Sequence, residues 1–447
     1  MTDPTHPHVR TEAGSPFAFG FFFANGYIEE VAVADIAGRI GTPFYVYSAR
    51  QLRRQLQQLR QQLPTGIAVY YSLKANPNLS VVRVLAEQGA GCEVCSPTEL
   101  KTALAAGVSP QHILYVGPGK SLPALKFAID CGIRAIVVES VAELDNLNQL
   151  AAQANTVQTV ALRINPDFSS AHARLVMSGK PTQFGMTLDT LDTVLTSLHR
   201  WPSVSLRGFH IYLGTRILNA QTIADNTRNI LQLALNLRDT HQLTLDFVDV
   251  GGGFGVPYFP KEAPLDLPAL GEAVASIVAD FLRQTADTQI IIELGRYLVA
   301  EAGLFVTRVN TLKTAGGKTF AVCDGGANCH SAAAGLNSML RKNFPLLRLG
   351  DNVDRPLQPY QVSGPLCTPT DLLGDNVLLP MLAVDDLIGI PHSGAYGLTA
   401  SPGSFLSFGY PPEVMVDGRR LTLIRQPETT EQLLARQQPV DLSGDTP

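Results

Sequence analysis

Long hydrophobic runs are missing from this 447-residue chain. The longest near the N-terminus, Phe17–Ala24, falls far short of the roughly 20 apolar residues that a membrane helix needs. No basic segment precedes it, as one would in a signal peptide. Dense runs of Lys or Arg are missing too. The 34 basic and 39 acidic residues leave a net charge of −5, which argues against nucleic acid as a partner. Cysteine is sparse, six in all, and without an export signal no disulfide framework is expected. Cys92 and Cys95 form a C-x-x-C, but no second such pair and no H-x₃₋₅-H follows. No metal site is therefore expected, and both sulfurs read as part of a buried strand. These absences point to a cytoplasmic protein that contacts neither membrane nor nucleic acid. Apolar residues are plentiful at 45%, enough for a large core and incompatible with wholesale disorder.

Eight short apolar runs punctuate the middle of the chain: 68–73, 91–95, 113–116, 135–139, 160–164, 208–213, 247–250 and 289–293. Several are rich in β-branched residues and nearly continuous, as strands buried on both faces should be. Helix-period segments such as 79–87 and 141–151 lie between them. Eight βα units in about 250 residues is the count of a TIM barrel, and the even repetition favours closure over an open doubly wound sheet. After about Ala302 the rhythm changes to short strands separated by Gly and Pro, the pattern of an all-β domain. The segment Phe19–Val31 also reads as strands, with a turn at Asn25-Gly26. The expected organisation is a loose segment 1–16, N-terminal strands in 17–44 that pack with the β domain, an α/β barrel over 45–302, the β domain over 303–426 and a helix or tail over 427–447. The tail from Asp441 is expected to be loose.

Barrel active sites lie at the C-terminal ends of the strands. The first strand ends in Tyr70-Tyr71-Ser72-Leu73-Lys74-Ala75-Asn76. Desolvation of a lysine at this mouth would favour the neutral amine that condenses with carbonyls, although a strand-end lysine can equally be a surface residue. The seventh strand runs into Asp249-Val250-Gly251-Gly252-Gly253-Phe254-Gly255. Glycines there let backbone N–H groups approach an anion, or simply make a tight turn. The eighth ends in Glu293-Leu294-Gly295-Arg296. A carbonyl-binding lysine, an anion cradle and a carboxylate at one mouth describe a pyridoxal phosphate site.

These motifs resemble those of the alanine-racemase-fold, pyridoxal-phosphate-dependent decarboxylases, the group of ornithine and diaminopimelate decarboxylases. Tyr71–Asn76 is similar to the cofactor-lysine motif, Gly208–Thr215 to the His–Gly–Ser segment, Gly251–Gly255 to the phosphate loop and Glu293–Arg296 to the Glu-Pro-Gly-Arg segment. Asp324-Gly325-Gly326, Gly364–Cys367 and Gly394-Ala395-Tyr396 resemble the C-terminal signatures. The resemblance spans about residues 20–425 and implies a (β/α)₈ barrel plus a β domain, with active sites shared across a homodimer. It implies that Lys74 holds the cofactor covalently and that Glu293 serves the pyridine nitrogen. Gly251, Gly252, Gly253, Gly295, Arg296, Tyr396 and Thr215, in place of a serine, would hold the phosphate. Cys367 would come from the partner subunit and protonate the carbon left by CO₂, while Asp324 and Thr368 would face the substrate. Either His210 or Tyr212 could stack on the ring, and His210 could equally be structural.

Departures from the family pattern bear on substrate. Diaminopimelate decarboxylases usually carry Cys-Glu where this chain has Cys367-Thr368-Pro369-Thr370-Asp371. They also carry an Arg and a Tyr at the positions of Ala332 and Leu336. Losing three polar anchors should change the substrate. Segments 251–259, 364–371 and 393–402 look closer to the branch that decarboxylates a glutamyl group on an acyl carrier protein in secondary metabolism. A basic patch for such a carrier could draw on Arg174, Lys180 and Arg216, which also read as solvated loop charges. Diaminopimelate decarboxylase is the alternative. A racemase would place Arg, not Glu, near the pyridine nitrogen. A dead, partner-binding homologue would not need Lys74, the glycine loop and Cys367 together.

Overall fold

A computed structural model describes residues 23–440 except 25, 171–174, 177–181, 260, 286, 337–341 and 351–354. The terminal segments expected to be loose, and Arg174 and Lys180, lie outside the described residues. The chain divides into two compact units, Ala49–Glu301 and the combination of Met1–Ser48 with Ala302–Pro447.

The first unit is the closed barrel. Its strands are Ile67–Ser72, Gly91–Val94, Ile113–Tyr115, Ala135–Val138, Gln158–Arg163, Val204–His210, Phe247–Gly252 and Gln289–Leu294. Every neighbouring pair is parallel, and the last strand closes on the first with Glu293 opposite Tyr70. Tyr70, Leu114, Val137, Ala161, Phe247 and Ile291 fill the interior. Helices begin where a polar side chain accepts a backbone N–H: Asn78, Ser96, Ser121, Ser140, Thr187, Asn219 and Asp266 all do so. Each cap is worth about 1 kcal/mol and fixes where the chain turns at the mouth. One strand differs from its sequence pattern. The sixth runs over Val204–His210, not 208–213. Ile211 and Leu213 are apolar because they are buried beneath the rim, so they read as strand although the ladder has ended. This places Tyr212 in a loop.

The second unit is built on a nine-stranded sheet. Gly303–Ala315 is its longest strand. It pairs with Phe44–Ser48 and Leu387–Pro391 over its first half and with Lys318–Cys323 over its second. Phe44, Val46, Leu304, Val306, Val414 and Val416 form the core with Ile28, Val33 and Ile36. Two expectations for the N-terminal segment need correction. Val33–Ile40 is a helix, burying Val33, Ile36 and Ala37 at helical spacing. The alternation Val31-Ala32-Val33-Ala34 mimics a strand and hides it. Residues 45–48, expected in the barrel, continue the strand Phe44–Ser48 and belong to the β sheet. No helix among the described residues is long and apolar enough to cross a membrane.

Candidate active site

The barrel mouth gathers its ionisable groups on neighbouring strands. Lys74 follows the first strand, in a single turn of 3₁₀ helix over Leu73–Ala75. The expected desolvation of this lysine is not found, because its side chain is 40% exposed. Its Nζ instead donates to Glu93 Oε1 at 3.1 Å and lies 5.7 Å from the centre of the Tyr212 ring. Glu93 is fully buried on the second strand. The same oxygen accepts the Cys95 thiol at 2.9 Å, and burial, then the Glu93 charge, pushes that thiol well up. Of the C-x-x-C pair, Cys92 is buried as expected, and Cys95 is exposed as a residue while its thiol is turned in to Glu93.

Deeper in the mouth, His210 is the last residue of the sixth strand, Asp249 lies within the seventh and Glu293 is next to last in the eighth, each no more than 2% exposed. His210 Nε2 is 3.2 Å from Glu293 Oε2. Burial alone would raise the Glu293 carboxyl, but His210 and Lys74 outweigh it and bring it down to about 2. Glu293 is therefore a buried anion, a state that costs several kcal/mol unless partners compensate. Among the described residues, no N–H or hydroxyl reaches Glu293 Oε1 or His210 Nδ1. A buried carboxylate oxygen with spare accepting capacity suits a cationic N–H from a bound ring. His210 thus contacts Glu293 from the side, and it is Tyr212 whose ring lies beside Lys74.

The glycine turn follows Asp249. Gly251 and Gly253 have φ of +66° and +79°, a region that a side chain rarely enters. A Cβ on Gly252 would collide with the Glu293 carbonyl, and one on Gly253 with the Gly214 carbonyl. The turn is pressed between the eighth strand and the Gly214-Thr215 segment, so Thr215 sits against it. One expectation is corrected here. The Gly251 N–H is not open to an anion, because it donates to Asp249 Oδ1 at 2.9 Å. Gly295 packs against Ala75 and Ser72, closing the eighth strand onto the lysine turn. Arg296 Nη1 donates to the Tyr258 hydroxyl at 3.0 Å, and the guanidinium centres of Arg296 and Arg216 lie 5.5 and 5.1 Å from the Tyr258 ring. A second ring of buried ion pairs braces the rim: Lys120 with Glu143 at 2.6 Å and Arg163 with Glu139 at 2.8 Å.

The remaining expected site residues lie in the β unit. Cys367 is exposed, on the loop after Leu357–Ser363. Thr368 Oγ1 pairs with Thr370 Oγ1 at 2.9 Å. Tyr396 has φ +53° in the buried turn Ser393–Gly397. Asp324 differs from its expected substrate-facing role. Oδ1 accepts Thr307 Oγ1 at 2.7 Å and the Arg308 N–H at 2.9 Å, and Oδ2 accepts Thr42 Oγ1 at 2.5 Å. Both its oxygens serve the sheet. Asp371 plays a similar part under the cysteine loop, accepting the N–H groups of Ala327 at 2.6 Å and Leu366 at 2.7 Å.

Glu93, Asp249 and Asp371 received no role from the sequence. The signal for Glu93 was an acid inside the apolar run 91–95, which burial makes costly unless a cation or hydrogen-bond donor meets it. Asp249 was visible only as the residue preceding the glycines.

Residues 49–300 match the family model described as pyridoxal-dependent decarboxylase, pyridoxal binding domain. The chain is 35% identical over 418 residues to the L-glutamyl-[BtrI acyl-carrier protein] decarboxylase of Niallia circulans, covering 92% of this chain and 97% of that one. It is 32% identical over 418 residues to the diaminopimelate decarboxylase of Vibrio cholerae, covering 92% and 95%. The crystal structure of diaminopimelate decarboxylase from M. jannaschii in complex with L-lysine superposes with a TM-score of 0.84 at 25% identity, covering 94% and 96%.

Proposed function

This chain belongs to the pyridoxal-dependent decarboxylases, and we propose that it acts on a glutamyl-like aminoacyl group carried by an acyl carrier protein. Bound pyridoxal phosphate supplies an electron sink for the pair left on the α-carbon when CO₂ departs. Under this reading Lys74, with Nζ held by Glu93, is the point of attachment. Glu293, braced by His210, keeps a proton on the ring nitrogen. The glycine turn beyond Gly251, with Thr215, Gly295, Arg296 and Tyr396, holds the phosphate, and Tyr212 flanks the ring. Cys367 Sγ delivers a proton to the α-carbon, in a site shared between two copies of the chain.

The observation that carries the substrate reading is the neutrality of three positions. Ala332 and Leu336 are half-buried residues of one turn after Asp324-Gly325-Gly326, and Thr368 follows Cys367. None carries a charge to meet a charged distal end. Each lost charge-assisted hydrogen bond forfeits about 1.5–3 kcal/mol. The resemblance to the Niallia circulans enzyme supports the same reading. A substrate whose far end is tethered to a carrier needs no distal anchor. Steady-state kinetics decides between this and a diaminopimelate decarboxylase. Carrier-linked glutamate should be turned over, with free meso-diaminopimelate a poor substrate. A kcat/KM on diaminopimelate of about 10⁴ M⁻¹s⁻¹ or more, within the ordinary enzyme range, would overturn the proposal.

A further inference from the structure

Asp249 is fully buried, and nothing in the reaction outlined above uses it. It lies on the seventh barrel strand, paired in register with His210 on one side and one strand away from Glu293 on the other. One ligand-capable atom from each of His210, Asp249 and Glu293 falls within 4.8 Å of the others. Two carboxyl groups this close, with water excluded, cannot both be ionised without a cation between them. The compensating groups are unequally shared. His210 touches Glu293 at 3.2 Å, and the Lys74 charge also acts on Glu293. Asp249 receives one backbone N–H on Oδ1, and among the described residues no N–H or hydroxyl reaches Oδ2. Glu93 and Tyr70, which also face it, offer it no positive charge. The negative charge therefore settles on Glu293 and the proton on Asp249.

We propose that Asp249 is a neutral carboxylic acid and a positioning residue, whose hydroxyl donates to the Glu293 carboxylate while its carbonyl oxygen holds the Gly251 N–H. Burial, then the adjacent Glu293 charge, raises the Asp249 carboxyl well above the usual range, in agreement with this geometry. Glu293 has about four lone-pair sites. His210 and Asp249 fill two and leave room for the ring N–H. The Asp249 hydroxyl fixes the carboxylate plane without adding charge, so the anion stays strong. Through Gly251 the same side chain sets the start of the glycine turn. One residue thus ties the anchor for the ring nitrogen to the cradle for the phosphate.

Asp249→Asn and Asp249→Ala test this. Asn keeps the carbonyl acceptor, replaces the hydroxyl by an N–H donor and is neutral at every pH. It should bind pyridoxal phosphate to the apoenzyme within about threefold of wild type, with the same pH profile of cofactor absorbance. Ala should weaken cofactor binding by about tenfold or more, as loss of a hydrogen bond to a charged group does, and should displace that profile. In the infrared spectrum of the apoenzyme at neutral pH, the carbonyl stretch of a neutral carboxylic acid should be present in wild type and absent in Asp249→Asn. This readout survives a failure of the Ala variant to fold. A displaced profile for Asp249→Asn, or an infrared band unchanged by it, overturns the proposal.

Discussion

The barrel mouth and the cysteine loop of the β unit solve opposite problems. At the mouth the chemistry-bearing groups are buried and braced: Glu93, His210, Asp249 and Glu293 are each no more than 2% exposed and stand on four different strands. In the loop the chemistry-bearing groups are open, Cys367 exposed and Thr368 half-exposed, while the buried group, Asp371, only holds the backbone. A flat ring with a charge-sensitive nitrogen rewards rigid, desolvated partners. A thiol proposed to reach a substrate carbon would reward access. On the proposed roles, the contrast teaches that cofactor control would be built into the strands and substrate control into loops, so that substrate could change without disturbing the ring site.

The comparison breaks most sharply at the lysine. Lys74→Ala should lose about 10⁴-fold or more in CO₂ release, and borohydride reduction of the wild type should place the pyridoxyl label on Lys74. Mixing Lys74→Ala with Cys367→Ala subunits should restore up to about one working site per mixed dimer, because the loop and the mouth would come from different copies. No recovery in verified mixed dimers would return both halves to one chain. Next in size, Glu293→Gln should slow decarboxylation by about 10²-fold while leaving most cofactor affinity in place, since the phosphate cradle is separate; an unimpaired rate removes Glu293 from its role. The smallest effect belongs to the loop's support. Asp371→Ala strands two buried N–H groups and should cost about 2–4 kcal/mol in urea unfolding, with the cofactor absorbance of the folded protein unchanged. A changed spectrum would show that the two regions are not independent.

The same contrast explains what could be read from the sequence. Barrel strands announce themselves because burial on both faces demands runs such as Ala135–Val138 and Ile290–Ile292. Lys74, Glu293 and the glycine turn stood out as polar or flexible residues interrupting such runs. Roles that depend on a spatial partner did not. Asp324 looked like a substrate ligand until Thr42, Thr307 and Arg308 were found on its oxygens. Asp249 and Glu93 gained meaning only when the barrel set neighbouring strands side by side. Helix Val33–Ile40 was hidden by an alternation that fits either period over four residues.

The closing seam of the barrel carries one more consequence. Lys74 follows the first strand and Glu293 lies on the last, and these strands become neighbours only through the pairing of Glu293 with Tyr70 and Leu294 with Tyr71. A nascent chain still on the ribosome before Gln289–Leu294 emerges has Lys74 but neither Glu293 nor the Gly295-Arg296 segment proposed to hold the phosphate. Under the proposed roles, full cofactor affinity would await the closed barrel.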